Sequence, residues 1–438
     1  MEDNLLKGKI TKALFLFSLP ITLSMAASQF YSLADSLIVG MFCGKEALAA
    51  ISNASSVLFF FLFISGGLEL GSNLFIASIK GKHSNNQVNQ VIVNLIFFDF
   101  IIGMILLVLG QVCLNGLLKL IQTPSSIFRL ASLYGHIYLI GLPFLMVYDL
   151  TKQIFIGYGD SKTPLVYVVI STAVNIVLDY YFIACLNLNV VGGAIATVIA
   201  QIVGVTLSLK RLYYHVLNKQ LNFKIMDKNL IKHWFGLSLP SILQQMIAPI
   251  SSMIKQGILG TLGVSAIAGF SVANTLLAFM IMPIAGVCQA LVVFIAQNIN
   301  AKQYERIRLG MKKSRNLLFI FTTLIILITS TFSIPLLSLF TKDKQALGYG
   351  CLILRYEPLF YYFFSLRNRN EAKMRGYQKM TYYLISSMFY LVVTLAGLSI
   401  LVPYVGFDGF YLSTGLGNFM GMELSYLLQS SYFIKKDA

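Results

Sequence analysis

The chain states one pattern twice. Ser18-Leu19-Pro20 returns as Ser238-Leu239-Pro240, and Gly40 returns as Gly260. Gly44, Ala47, Ala49, Ser52 and Ala54 return, at a spacing one residue shorter, as Gly263, Ala266, Ala268, Ser271 and Ala273. Phe60, Gly67 and Ala77 map onto Phe279, Gly286 and Ala296, and Gly157-Tyr158 onto Gly376-Tyr377. The sequence is therefore two homologous halves, each of about 215 residues. Both halves are strongly apolar: 57% of residues are hydrophobic and 11% charged, and mean hydropathy is +0.76. A soluble domain carries about 25% charge. A duplicated chain of this polarity folds as a polytopic, all-α membrane protein, and in many transporters the substrate path runs at the repeat interface.

Spanning a bilayer takes about 20 apolar residues. The apolar runs predict twelve helices, near 13–40, 47–78, 88–112, 127–156, 164–185 and 190–212, then 229–259, 265–298, 314–338, 345–368, 379–402 and 408–433. This gives a six-helix lobe over 1–212, a polar linker over 213–228 and a second six-helix lobe over 229–438. The first run is too long for the about 7–15-residue core of a signal peptide and reads as a retained span. Threading the chain through these spans puts most of its 33 Lys and Arg residues on the side of the N-terminus. Lys45, Lys119, Arg129, Lys342 and Lys344 fall on the other side. Both termini are then cytoplasmic and the protein sits in the cell (plasma or inner) membrane. The formal charge of +16 is a topology signal and does not imply a nucleic-acid partner. An even number of spans per half makes the repeats parallel, related by an axis along the membrane normal.

What is missing narrows the class. There is no phosphate-binding GxxxxGK[ST] loop and no HExxH, and the four histidines lack metal spacing. The five cysteines form no CxxC and read as free thiols. No catalytic cluster is recognisable, so the chain is expected not to be an enzyme and to need no cofactor. Its energy is expected to come from an ion gradient, from the substrate's own gradient or from another subunit. Prolines 20, 143, 240, 249, 283, 335 and 358 punctuate the spans and invite kinks.

A charge at mid-span costs about 2.5–3.5 kcal/mol on insertion scales, so each one is a functional candidate. Asp35 lies in the outer half of the first span. Asp179 lies in the outer half of the fifth, four residues after Asn175 and on the same helix face. Two carboxylates and an amide at one depth can hold a proton or a sodium ion. Glu69, Asp99, Asp149 and Glu423 are further ionisable groups, and Asp149 should pair with Lys152. The second half is no copy here. Lys255 follows its proline by the same interval as Asp35, and the stretch matching Asp179 is uncharged. Any cation site therefore belongs to the first half.

Three stretches resemble the multidrug and toxic compound extrusion (MATE) family. They are Gln29-Phe-Tyr-Ser-Leu-Ala-Asp35-Ser-Leu-Ile-Val-Gly40 with Ala47-Leu-Ala-Ala50; Gly159-Asp-Ser-Lys-Thr-Pro164 with Asn175 to Asp179 and Val191-Gly-Gly-Ala-Ile-Ala-Thr197; and Phe294-Ile-Ala-Gln-Asn-Ile299 with Ala301-Lys302. Within that family the pattern resembles the DinF-like or Firmicutes-type branch. The resemblance implies two pseudo-symmetric six-helix bundles in a V. It implies a monomeric antiporter that exports amphiphilic, often cationic compounds against an inward flow of protons or sodium ions. It assigns cation coupling to Asp35, Asn175, Asp179 and Thr197, and a hinge to Pro20. Gln29, Glu69, Lys255 and Glu357 are the candidates for the substrate cavity. The second-lobe carboxylate of NorM-type members is missing from the seventh span, leaving Glu357 as its stand-in. The charged stretch Arg367 to Lys373 departs from the family pattern and reads as an early helix end or a cytoplasmic gate. The alternative function is a flippase for lipid-linked saccharides or similar lipids. An intramembrane enzyme or a channel fits less well.

Overall fold

The computed structural model describes residues 4–80, 85–217, 219 and 227–437. Half of the expected linker, 213–228, lies outside the described residues. The first repeat holds a short α1 (Asn4–Lys7), then α2 (Ile10–Phe42), α3 (Gly44–Ile79), α4 (Asn85–Leu120), α5 (Ser125–Gly157), α6 (Lys162–Asp179) and α7 (Asn189–His215). A π-helical turn, Tyr180–Cys185, extends α6. The second repeat holds α8 (Lys228–Gln245), α9 (Ile247–Gly260), α10 (Val264–Met280), α11 (Met282–Asn300), α12 (Tyr304–Ser338), α13 (Lys344–Tyr356), α14 (Tyr361–Gly376), α15 (Met380–Val405) and α16 (Asp408–Asp437). No β-strand forms among the described residues.

The repeated residues now acquire reasons. Gly44 and Gly263 take φ of +82° and +102° at the same turn of each half, between its first and second spans. A left-handed backbone suits glycine because it has no Cβ to clash. Prolines mark the breaks. The seventh span is two helices, α8 and α9, parted between Pro240 and Pro249. Three residues before Pro335, Phe332 leaves helical geometry inside α12. Pro358 sits in a 3₁₀ turn, Glu357–Phe360, that separates α13 from α14.

Among the described residues, ten helical segments are long and apolar enough to cross a membrane. The expected tenth and twelfth spans are helical where the sequence placed them, but the 3₁₀ turn splits the tenth into α13 and α14, each shorter than a full crossing, and α16 is rich in glycine and serine and less apolar. One expectation is overturned here. Arg367 to Lys373 is no early helix end, because α14 runs unbroken through it to Gly376, with Arg367, Glu371 and Lys373 buried.

Packing divides the chain into two compact units that cut across the sequence repeats. The first unit is Leu23–Ile242; the second is Met1–Thr22 with Leu243–Ala438. The chain passes between units two residues after each repeated proline, Pro20 and Pro240. Glycines explain the attachment. A Cβ on Gly67 would stand 2.4 Å from Ile242 Cα, and one on Gly71 2.6 Å from Ser238 Cα, so α8 lies against bare backbone of α3. This is the small-xxx-small seam that lets membrane helices approach closely. Trp234 Nε1 donates to Ser72 Oγ at 2.9 Å in the same seam. In the second unit, Gly286 faces Ser18 and Thr22 of α2 in the same manner.

Candidate functional site

Asp35 and Asp179 come together in the first unit around Gly193 of α7. A Cβ built on Gly193 would stand 3.6 Å from Asp35 Oδ1 and 3.8 Å from Asp179 Oδ1. The two oxygens are thus no farther apart than the sum of those distances. A methyl group would fit at Gly193; a longer side chain would fill the space between the carboxylates. The π-helical turn that follows Asp179 helps to build the place. It widens the helix, Leu186 N–H donating to Tyr181 O at 3.0 Å, and brings Phe182 against Gly192. Such turns recur at functional sites.

The polar neighbours complete the set. Tyr31, one turn before Asp35 on α2, shares a 3.0 Å hydrogen bond with Thr197 on α7. Asn175 lies one turn before Asp179 on α6, and both are buried. Asp35 Oδ1, both carboxylate oxygens of Asp179 and both amide atoms of Asn175 are buried without a hydrogen-bond partner. Each unsatisfied buried polar atom costs about 1–3 kcal/mol. A proton on a carboxylate, or a hard cation among these oxygens, removes that cost. Carboxylate, amide and hydroxyl oxygens suit sodium and do not suit a soft metal. Among the described residues no three His, Cys, Asp or Glu side chains converge on a metal position. The charge of Asp35 also reaches Tyr134 and Tyr138 of α5.

The other candidates lie elsewhere. Gln29 is half-buried on α2 and joins none of these hydrogen bonds. Glu69 accepts from Ser65 Oγ at 3.0 Å and belongs to a separate group with Asp99, Asp149 and Lys152. There Asp149 pairs with Lys152, as their spacing implied, and Lys152 lies 4.7 Å from the centre of the Tyr148 ring. Lys255 and Glu357 are in the second unit. Lys255 Nζ donates to Thr414 Oγ1 of α16 at 3.2 Å, within electrostatic reach of Glu357. Pro20 is interior to α2, which stays helical around it. Sequence reasoning missed Tyr31, Gly193 and the π-helical turn. Only Gly193 had a visible signal, the pair Gly192-Gly193 opening an apolar span.

The match to known proteins is extensive. The MatE family covers residues 20–181 and 240–404, one match per repeat. The chain belongs to the MatE family. As a MatE protein it is a multi-pass membrane transporter and not an enzyme. The probable multidrug resistance protein YoeA of Bacillus subtilis is 25% identical over 394 residues, which are 87% of this chain and 85% of that protein. A FAD transporter of Shewanella oneidensis is 25% identical over 441 residues, 98% of this chain and 97% of that one. The fold superposes on the solved structure of a MOP superfamily transporter from Pyrococcus furiosus with a TM-score of 0.91. That match covers 99% of this MatE chain and 98% of the other, at 22% identity.

Proposed function

We propose that this MatE protein is a cation-coupled antiporter that exports amphiphilic, often cationic organic compounds by alternating access. The observation that carries the reading is the convergence of Asp35 and Asp179 around Gly193, with buried oxygens that lack partners. Asn175 and Thr197 complete the cation site, and the coupling ion, H⁺ or Na⁺, is the only cofactor required. Binding the ion removes buried charge and favours one packing of α2 over another, with Pro20 as the bending point. Lys255 stands in the second repeat where Asp35 stands in the first. It supplies a fixed ammonium there in place of a captured ion, so the second unit couples nothing.

Everted membrane vesicles test the function. Under separately imposed proton and sodium gradients, cationic dyes should accumulate with one gradient and leak back when it is dissipated. The Shewanella relative justifies adding FAD to the panel, since an anionic dinucleotide would mark a different substrate class. Accumulation that ignores both gradients would end the coupling claim. The same reading places both termini in the cytoplasm of a cell with this protein in its plasma membrane. A single cysteine beside Asp343 should label from outside intact cells and one beside Lys302 should not; the reverse pattern would invert the topology.

A further inference from the structure

We propose that a crevice on the second unit is a specific site for an anionic phospholipid. It lies between the start of α2 and α12 as an open crevice of about 580 Å³, the size of a small-molecule site. Lys9, Lys12 and Lys313 line it together with Phe15, Leu309 and Leu317, and no acidic side chain does. Phe15 and Leu309 are exposed, as are Leu16, Leu19, Ile320 and Leu324 on the same two helices, so this flank faces hydrocarbon and not water. A negative headgroup with an apolar tail matches that lining. A soluble phosphate leaves the apolar wall unused, and a zwitterionic lipid lacks the net charge.

The basic rim is held in place. Arg306 donates to Leu5 O at 3.1 Å and to Gly8 O at 2.7 Å, and Asn298 Nδ2 reaches Leu5 O at 3.3 Å. The segment carrying Lys9 and Lys12 is therefore pinned to α11 and α12. Phe15 stacks on Phe321 of α12 with ring centroids 6.5 Å apart. Leu309, Lys313 and Leu317 recur every four residues and so share one face of α12. By the distribution of basic residues this end of the protein lies in the cytoplasmic leaflet, where anionic lipids concentrate and each nearby lysine adds attraction. A lipid seated there joins the part of α2 before Pro20 to α12.

Native mass spectrometry on the delipidated full-length protein in neutral detergent tests the site. Phosphatidylglycerol should be retained, while phosphatidylcholine and glycerol 3-phosphate should not. Lys9→Gln, Lys12→Gln and Lys313→Gln combined should weaken retention by roughly a hundredfold. Leu309→Trp, an exposed substitution that fills the crevice, should do the same with every lysine present. Lys342→Gln with Lys344→Gln, at the other end of the protein, should change nothing. Equal retention of phosphatidylcholine, or an unchanged triple variant, would overturn the proposal. So would glycerol 3-phosphate displacing the lipid. A Leu309→Trp protein that keeps its lipid would reduce the site to a film of surface charge and overturn it too.

Discussion

Asp35→Asn and Asp179→Asn should each reduce gradient-driven efflux to background while leaving the protein folded. The reason lies in the geometry around Gly193. Both side chains present buried oxygens with no partner, so their charge is costly unless an ion is bound. The amide keeps the shape of the neutral acid and cannot release a proton or bind sodium with a full charge. Transport stops because the cycle loses its charge change, and not because the fold loses a support. Stability should move in the opposite direction to activity. Removing an uncompensated buried charge is neutral or stabilising, so melting temperatures in detergent should hold or rise. Substrate binding should survive. A double variant with full gradient-driven efflux would remove these residues from the mechanism and direct attention to Glu69 and Glu357.

Arg367→Ala should be the most damaging substitution for the stability of the second unit. Arg367 Nη1 donates to Glu371 at 3.0 Å, and both side chains are more than nine-tenths buried. Ser386 Oγ donates to the same Glu371 oxygen at 2.8 Å, and the guanidinium lies 4.2 Å from the centre of the Tyr390 ring. Removing the arginine strands a buried carboxylate, which costs about 3–5 kcal/mol. Combining Arg367→Met with Glu371→Gln should recover most of that loss, since neither charge then remains to be paired. Thermal unfolding of the purified variants in detergent provides the check. A single variant that melts within a degree of the parent would show that water reaches Glu371. The role of this stretch is then to lock α14 to α15, a role its charge alone did not disclose.

The spans were legible as apolar runs, and the residues proposed for cation coupling drew attention because charges stand out against an apolar background. Asn175 and Asp179 could be set on one face from spacing alone, since four residues on a helix make one turn, and Asp35 stood out as a charge within its span. The repeat was equally plain, and Gly44 and Gly263 show why: both sit at a left-handed turn that few other residues tolerate. The packing units were not legible. Sequence repetition records ancestry, whereas Gly67, Gly71 and Gly286 decide which helix half packs where, and they do so through contacts distant in sequence. Tyr31 was hidden for a different reason. A tyrosine in an aromatic-rich span is ordinary until Thr197, far along the chain, is seen to meet its hydroxyl. The π-helical turn has no residue signature at all; only the structure shows it, with Phe182 against Gly192 and Asp179 near Gly193.

Cation-coupled exchange, as proposed above, requires the first unit to give up a bound cation when substrate binds. Ion release from purified protein measures this without a membrane or a gradient. A pH electrode and a sodium electrode in weakly buffered detergent solution should register release of one of the two ions when a cationic dye is added to the parent protein. The Asp35→Asn, Asp179→Asn double variant should bind the dye and release neither. Equal release from the parent and the double variant would contradict the account.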